Sequence, residues 1–146
     1  MIGVPMRRGD VVTIAATGDY GKPRPAVIVQ TDALPTEHAS VVICQMTFEC
    51  NDAPDFRVTI DPTENNGLRV RSQVMADKPV TVRRERIGRR VGHLDDKDIS
   101  RLNIALAFVM GLADQWTVTV DWGVIRRVGS KYFHLTVFGS LLYSPM

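Results

Sequence analysis

An arginine and a threonine stand where two predicted β-strands meet loops, and together they can hold one phosphate group. Arg24 follows the breaker-rich residues 18–23 and precedes the apolar run 26–29, and Thr47 closes the apolar run that begins at Val41. A guanidinium pairs with two phosphate oxygens at once and keeps its charge, and a hydroxyl both donates and accepts. No histidine adjoins either residue in the sequence. The pair therefore indicates metal-free phosphodiester chemistry on a nucleic acid.

Short strands separated by turn residues make up most of the remaining chain. Pro35, Pro62 and the run Asn65-Asn66-Gly67 mark connections between them. Strands do not alternate with helices, which disfavours a parallel sheet. The pattern predicts a mainly β (α+β) fold, a small antiparallel barrel or sandwich. Strands are expected at 10–16, 26–30, 40–47, 56–61, 68–75, 80–84 and 87–91.

One amphipathic helix is predicted after the strands. Asp95 or Asp96 can cap its start, where acidic charge complements the helix dipole. Apolar residues then recur at steps of three and four, which gives one apolar stripe. The stripe is expected to cover the barrel or to form a dimer contact, with no part in the chemistry. Its members are Ile99, Leu102, Leu106, Val109 and Ala113.

Composition bounds the class of protein but says little about its partners. A chain of 146 residues buries roughly 65–70% of its unfolded surface in one domain. The net charge is only +2, yet basic residues concentrate in one segment, residues 69–90. This segment is either an electrostatic footprint for a phosphate backbone or an acidic peptide, or a solvated face. It holds two acidic residues, Asp77 and Glu85, against Arg69, Arg71, Lys78, Arg83, Arg84, Arg86, Arg89 and Arg90.

Neither a metal site nor another cofactor is predicted. Cys44 and Cys50 do not form a metal or disulfide framework. The histidines are scattered at 38, 93 and 134, without ligand spacing. No apolar run has membrane-spanning length and no signal peptide is recognisable, so we expect a cytoplasmic protein without a membrane partner.

Several blocks of the chain, in the right order, resemble the MazF/PemK family. The family comprises toxins of bacterial toxin–antitoxin pairs, and the match runs from about Met6 to Asp114. The resemblance implies a small SH3-like or CcdB-like barrel with one C-terminal helix. The blocks are Arg8-Gly9-Asp10-Val11-Val12, Lys22-Pro23-Arg24-Pro25-Ala26-Val27-Ile28-Val29, the strand ending at Thr47, Ser72-Gln73-Val74-Met75-Ala76-Asp77-Lys78, Arg86-Ile87-Gly88 and the helix pattern Leu94 to Leu112.

The resemblance also implies an activity and partners. Such a toxin is a homodimer that cleaves single-stranded RNA, and so mRNA, at short sequences, which inhibits translation and growth. It needs no metal, and a cognate MazE/PemI-like antitoxin silences it. Two alternatives remain open: a non-enzymatic DNA gyrase poison of the same fold, and a nucleic-acid-binding barrel without toxicity.

Site residues follow from this comparison one position at a time. Arg24 is expected to stabilise charge on the phosphate, and Thr47 matches the family's catalytic threonine. Asp19 lies where many relatives carry a glutamate, and it can orient Arg24 or accept a proton. Pro23 departs from the pattern, because some relatives carry a histidine there. A proton-transfer role at that position is therefore absent.

Further residues are candidates for RNA contacts. Tyr20 and Lys22 lie in the loop before Arg24, and Tyr20 can stack on a base. The block that lines the substrate groove in relatives contributes Ser72, Gln73 and Lys78.

Each of these residues also has a structural interpretation. Arg24 can simply pair with an acidic neighbour, Thr47 can end a strand, Asp19 can form a turn and Tyr20 can fold back on the barrel. The pattern ends near Asp114. We therefore divide the chain into a toxin domain, residues 1–114, and a C-terminal extension of unknown role, residues 115–146.

Overall fold

The computed structural model describes residues 5–15 and 22–113. Within them the chain forms six β-strands and one α-helix, and a 3₁₀ turn at Arg84–Arg86 joins the last two strands. The elements are β1 (Asp10–Ala15), β2 (Pro23–Ile28), β3 (Ser40–Thr47), β4 (Arg57–Ile60), β5 (Ser72–Arg83), β6 (Ile87–His93) and α1 (Asp96–Val109).

All six strands lie in one antiparallel sheet of order β4-β5-β3-β2-β1-β6. A backbone hydrogen bond connects the outer strand β6 to the loop that follows the other outer strand, β4. The backbone N–H of His93 on β6 donates to the carbonyl of Asn65, in the loop after β4, over 2.8 Å. The expected mainly β fold with one C-terminal helix is confirmed.

The sheet buries side chains on both faces, because successive residues of a strand point to opposite sides. Val11 joins the cluster that α1 covers, whereas its neighbour Val12 joins the cluster on the other face. This explains the nearly continuous apolar runs of the sequence. The first cluster contains Val11, Val27, Cys44, Met46, Val58, Ile60, Val74, Ala76, Leu94, Leu102 and Ala105, and the second contains Val12, Ile14, Ala26, Ile28, Val41 and Ile43.

Strand β5 differs from its prediction. Two strands were expected at 68–75 and 80–84, but the structure has one strand of 12 residues that begins at Ser72. Cys44 pairs with Pro79 and Met46 with Val74, so residues 75–78 bulge opposite Gln45. A bulge of this kind absorbs extra residues without ending the strand. The Arg57 guanidinium on β4 contacts the Asp77 carboxylate in the bulge, with Nε 3.2 Å from Oδ1 and Nη2 bonded to Oδ2 at 3.3 Å.

Helix α1 begins as predicted and ends earlier. Asp95 is the N-cap: its Oδ1 accepts the backbone N–H of Asp98 over 2.8 Å. Leu102 and Ala105 are buried, and Ala105 was not part of the predicted stripe. Ala113 lies beyond the helix, because Gly111 adopts a left-handed φ of 70° that terminates it. The opposite side of the helix exposes Ile104 and Phe108.

A buried carboxylate fastens β1 to β6. Asp10 is 1% exposed and accepts the backbone N–H of Arg7 at 2.8 Å, the Arg90 Nε at 3.0 Å and the His93 Nδ1 at 2.8 Å. Burial raises the pKa of the Asp10 carboxyl, but these donors outweigh it and hold that pKa below its ordinary value.

The described residues up to Val109 form one compact unit. The predicted extension, residues 115–146, lies outside the described residues. In the described part of the chain, no helix is long and apolar enough to cross a membrane.

Candidate active site

Strand β2 begins at Pro23, three residues earlier than predicted, and this early start carries Arg24. Pairing with β1 runs through to Pro23, whereas pairing with β3 stops at Ala26 opposite Gln45. Pro23 and Pro25 have no N–H, so they cannot donate to a neighbouring strand. The ends of β2 and β3 are therefore adjacent but not joined by the ladder, and a cleft can open between them.

Arg24 and Thr47 lie at these strand ends. The last β2–β3 pair is Ala26 with Gln45, and continuing this register by two residues would set Arg24 opposite Thr47. Both positions lie on the same face of the sheet as Ala26, because side chains alternate along a strand. A guanidinium and a hydroxyl that project from the same face of adjacent strand ends can bind one phosphate group.

The two residues belong to a cross-strand row that takes one residue from every strand. Ile14 is paired with both Ile87 and Arg24, and Gln73 is paired with both Thr47 and Thr59. The row changes character along its length. It is apolar on β6 and β1, cationic on β2, and uncharged and polar from β3 to β4. The centre of the row therefore favours chemistry that needs one cation beside a hydroxyl.

Gln73 anchors the loop that follows Thr47. Its side chain is 4% exposed, and its amide Nε2 donates to the carbonyl of Asn51 at 2.9 Å and to Thr59 Oγ1 at 3.1 Å. Its Oε1 accepts the backbone N–H of Asn51 at 2.9 Å. The amide is thus used within the protein, and Gln73 acts on the site by holding the β3–β4 loop in place.

The Thr47 hydroxyl is oriented by the same loop. Its Oγ1 accepts the backbone N–H of Glu49 over 3.1 Å, which closes a tight turn at the end of β3. Since this bond uses an oxygen lone pair, the hydroxyl proton is directed to a different partner. The side chain is half-buried, whereas Arg24 is exposed.

The structure describes three of the five other predicted site residues, Lys22, Ser72 and Lys78. Asp19 and Tyr20 lie outside the described residues. Lys22, just before β2, is exposed. Ser72 is buried on the opposite face of the sheet from Thr47, and its hydroxyl donates to the carbonyl of Val70 at 2.9 Å. Lys78 is exposed on the β5 bulge, across from Gln45.

The basic segment predicted at residues 69–90 does not form one continuous stripe. Arg69 and Arg71 lie in the loop before β5, and the others follow the β5–β6 hairpin. Two of the hairpin arginines make contacts that fix the fold: Arg84 Nε donates to the carbonyl of His38 at 2.9 Å, and Arg90 binds Asp10. A phosphate backbone would therefore meet separate cationic patches.

The cysteines are chemically distinct. Cys44 is buried, and desolvation raises the pKa of its thiol to about 11. Cys50 is exposed in the β3–β4 loop, and both are free thiols. Among the described residues, no group of three or more His, Cys, Asp or Glu side chains has the arrangement of a metal site.

Comparison with known proteins shows which family the chain belongs to. Residues 7–110 match the family described as the PemK-like, MazF-like toxin of type II toxin–antitoxin systems. The chain belongs to this family. It is 44% identical over 109 residues to a probable endoribonuclease MazF of Mycolicibacterium smegmatis, covering 74% of this chain and 99% of that protein.

Solved structures show the same fold. An endoribonuclease from mycobacterial species, in complex with its cognate antitoxin, superposes with a TM-score of 0.61 and 26% identity, covering 73% of this chain and 96% of that one. The toxin MazF-mt6 of Mycobacterium tuberculosis gives a TM-score of 0.60 at 20% identity, covering 77% and 99%. The family and fold that the sequence blocks predicted are confirmed.

One residue at the site was not noticed in the sequence. Phe48 directly follows Thr47 and is 75% exposed. The available signal was its position, since an aromatic residue there separates an apolar strand from the polar, acidic run 49–55.

Proposed function

We propose that this protein is the toxin of a type II toxin–antitoxin system, a metal-independent, sequence-specific endoribonuclease that acts at Arg24 and Thr47. One observation carries the proposal. The last β2–β3 pair is Ala26 with Gln45, and continuing this register past the end of the ladder would set Arg24 opposite Thr47 on one face of the sheet. The 44% identity to a probable endoribonuclease MazF supports the same activity. The target is single-stranded RNA, including mRNA, whose cleavage inhibits translation and growth.

The substrate supplies its own nucleophile. The 2′-hydroxyl of the ribose attacks the adjacent phosphorus, the bond from phosphorus to the 5′-oxygen breaks, and the products carry a 2′,3′-cyclic phosphate and a 5′-hydroxyl. Arg24 neutralises the charge that develops on the phosphoryl oxygens, which is often the largest catalytic contribution. Thr47 donates its hydroxyl proton in a hydrogen bond to one of these oxygens.

Two protons must also move. One leaves the 2′-hydroxyl, and the other reaches the departing 5′-oxygen, for which Arg24 is our candidate donor. Asp19 is our candidate acceptor for the first, because a carboxylate accepts protons and Arg24 remains protonated at neutral pH. DNA lacks the 2′-hydroxyl, so the site would bind DNA without cutting it.

Residues around the cleft contribute in two ways. Lys22, Lys78 and Tyr20 contact RNA directly, the lysines through phosphates and Tyr20 through stacking. Gln73 and Ser72 lie in the same sequence block but are buried, so they support the groove through the fold. The toxin domain comprises residues 1–114, and no function is assigned to 115–146.

The partners are a second copy of the chain and an antitoxin. The similar mycobacterial endoribonuclease was solved with its cognate antitoxin. By analogy, a MazE/PemI-like antitoxin covers the cleft of the homodimer in the cytoplasm, and its acidic, apolar segment folds on binding. The gyrase-poison alternative is not favoured, because a poison has no need for the Arg24–Thr47 pair and the relatives are named endoribonucleases.

A cleavage assay tests the proposal. The full-length protein is incubated with a long synthetic RNA in EDTA, and the cleaved ends are mapped and their termini identified. Cleavage at recurring short sequences, with cyclic phosphate and 5′-hydroxyl termini, is expected. Intact RNA, or cleavage that EDTA abolishes, would contradict it.

A further inference from the structure

An aromatic ring stands in solvent one residue beyond Thr47. Phe48 is 75% exposed, more than any other large apolar side chain that the structure describes. Rings of this size are buried in most folded proteins or used in binding. Phe48 directly follows Thr47, where β3 ends, so it belongs to the turn next to the proposed site.

The backbone around Phe48 is held on both sides. Before it, the Thr47 hydroxyl accepts the Glu49 N–H at 3.1 Å. After it, both backbone polar groups of Asn51 are bonded to the buried Gln73 amide, each at 2.9 Å. Phe48 lies between these anchors, so the position of its backbone at the end of β3 is set before any partner arrives. A backbone fixed in this way lowers the entropic cost of binding.

We infer that Phe48 is a stacking platform for an RNA base next to the scissile phosphate. This inference rests on the proposed function, since it places the phosphate between Arg24 and Thr47. One chain end of the substrate would then leave the cleft past Phe48. A base has an apolar face that stacks on any aromatic ring.

The charges around Phe48 favour a base over a phosphate. Glu49 and Asp52 are exposed in the same loop, and their carboxylates repel a phosphate backbone. An uncharged base face is not repelled in this way. A protein-docking patch is less well supported, because the loop residues 49–52 next to Phe48 are exposed and mostly polar.

Binding measurements on matched variants test this inference. Full-length protein is titrated into a fluorescently labelled, random-sequence single-stranded RNA in which every ribose carries a 2′-O-methyl group, which removes the nucleophile. Phe48→Ala should bind about 5- to 100-fold more weakly than wild type. Phe108→Ala is the control, because Phe108 is also exposed, at 52%, but lies on α1. It should bind like wild type, and Phe48→Trp should retain the affinity.

Salt dependence separates stacking from charge. Stacking releases no counterions, so Phe48→Ala should keep the wild-type slope of log affinity against log salt. Equal affinities for Phe48→Ala and Phe108→Ala would overturn the inference. So would a change in oligomer mass of Phe48→Ala in sedimentation, or its failure to bind a purified antitoxin while RNA affinity is unchanged, since either marks a protein contact.

The inference and the proposed function fail in different ways. If wild type and Arg24→Ala cleave RNA equally well, the proposed site is wrong regardless of Phe48. If Arg24→Ala is inactive while Phe48→Ala binds RNA like wild type, the site stands and the stacking platform is wrong.

Discussion

Arg24 lies directly opposite Ile14 in the β1–β2 ladder, and Ile14 is almost fully buried. The ladder therefore places a buried, apolar residue beside Arg24 on the β1 side. Two predictions concern Arg24 and Thr47, one concerns the loop after Thr47, and one concerns the buried carboxylate of Asp10.

Replacing Arg24 should remove cleavage without unfolding the protein. Arg24→Ala should cleave RNA about 10²- to 10³-fold more slowly, the usual effect of removing one group that stabilises developing charge. The cleavage rate of Arg24→Lys should lie between those of wild type and Arg24→Ala, because an ammonium keeps the charge but cannot bind two oxygens at once. Cleavage rates on a defined RNA check this. Lys97→Ala, an exposed cation on α1, is the control, and a similar loss there would mean that net charge alone matters.

The Thr47 hydroxyl should be required and its methyl group should not. Thr47→Val should reduce the cleavage rate about 10²- to 10⁴-fold, the range for one catalytic proton-handling group. Thr47→Ser should keep most of the activity. Single-turnover rates with saturating enzyme measure the chemical step. The assignment to the hydroxyl is wrong if the serine and valine variants are equally slow.

Gln73 should affect both stability and cleavage. Gln73→Leu leaves Asn51 and Thr59 without their amide partner, which should lower the free energy of unfolding by about 1–3 kcal/mol. Cleavage should slow as well, because the loop after Thr47 loses its anchor. Urea unfolding and cleavage rates give both values.

Gln30→Leu is a suitable control for this variant. The Gln30 Oε1 accepts the backbone N–H of Val42, near the start of β3, over 3.2 Å. Its loss should destabilise the protein without slowing cleavage. If both glutamine variants slow cleavage to the same extent, the effect of Gln73 is one of general stability.

Asp10 should make stability depend on acid. Its folded-state pKa is lowered, so its stabilising contribution is present above the unfolded-state pKa and is lost as pH falls through the folded value. Below pH about 4, the unfolding free energy of wild type should fall more steeply than that of Asp10→Asn. At pH 7 the variant should be about 1.5–3 kcal/mol less stable, because charged hydrogen bonds to Arg90 and His93 are weakened.

Urea unfolding at a series of pH values measures this difference. Asp61→Asn is the control, since Asp61 is 77% exposed in its contact with Arg71 and such surface pairs contribute little. If the free energies of unfolding of wild type and Asp10→Asn fall equally steeply below pH 4, protonation of the Asp10 carboxyl is not linked to folding.

Local patterns predicted β1, β3 and the start of α1 well. Strand β3 has the predicted bounds, and the predicted cap position is filled by Asp95. These features depend on alternation and on a side chain bonding three residues ahead. Strand β2 was predicted to begin three residues too late, because the prolines at positions 23 and 25 are typical of a loop. They lie in a strand here because β1 pairs with β2 through Pro23, while the β3 side is left unpaired.

Features that depend on distant pairing could not be predicted. Arg24 and Thr47 were recognised by residue type, but their opposition follows from the register of Ala26 with Gln45. The single β5 strand depends on its bulge against β3. Gln73 was predicted to contact RNA. No local signal shows that the loop carrying Asn51 folds back and forms hydrogen bonds with the Gln73 side-chain amide.

The bulge at residues 75–78 divides β5 into two halves. The half before it carries Gln73 and pairs with both β4 and the end of β3, whereas the half after it, Pro79 to Arg83, pairs with β3 alone and leads into the arginine-rich hairpin. The bulge thus separates the stretch that pairs with Thr47 and Thr59 from the stretch that carries the arginines. Substitutions at Pro79 to Arg83 can therefore change the charge of the hairpin with little effect on the cross-strand row that contains Arg24 and Thr47.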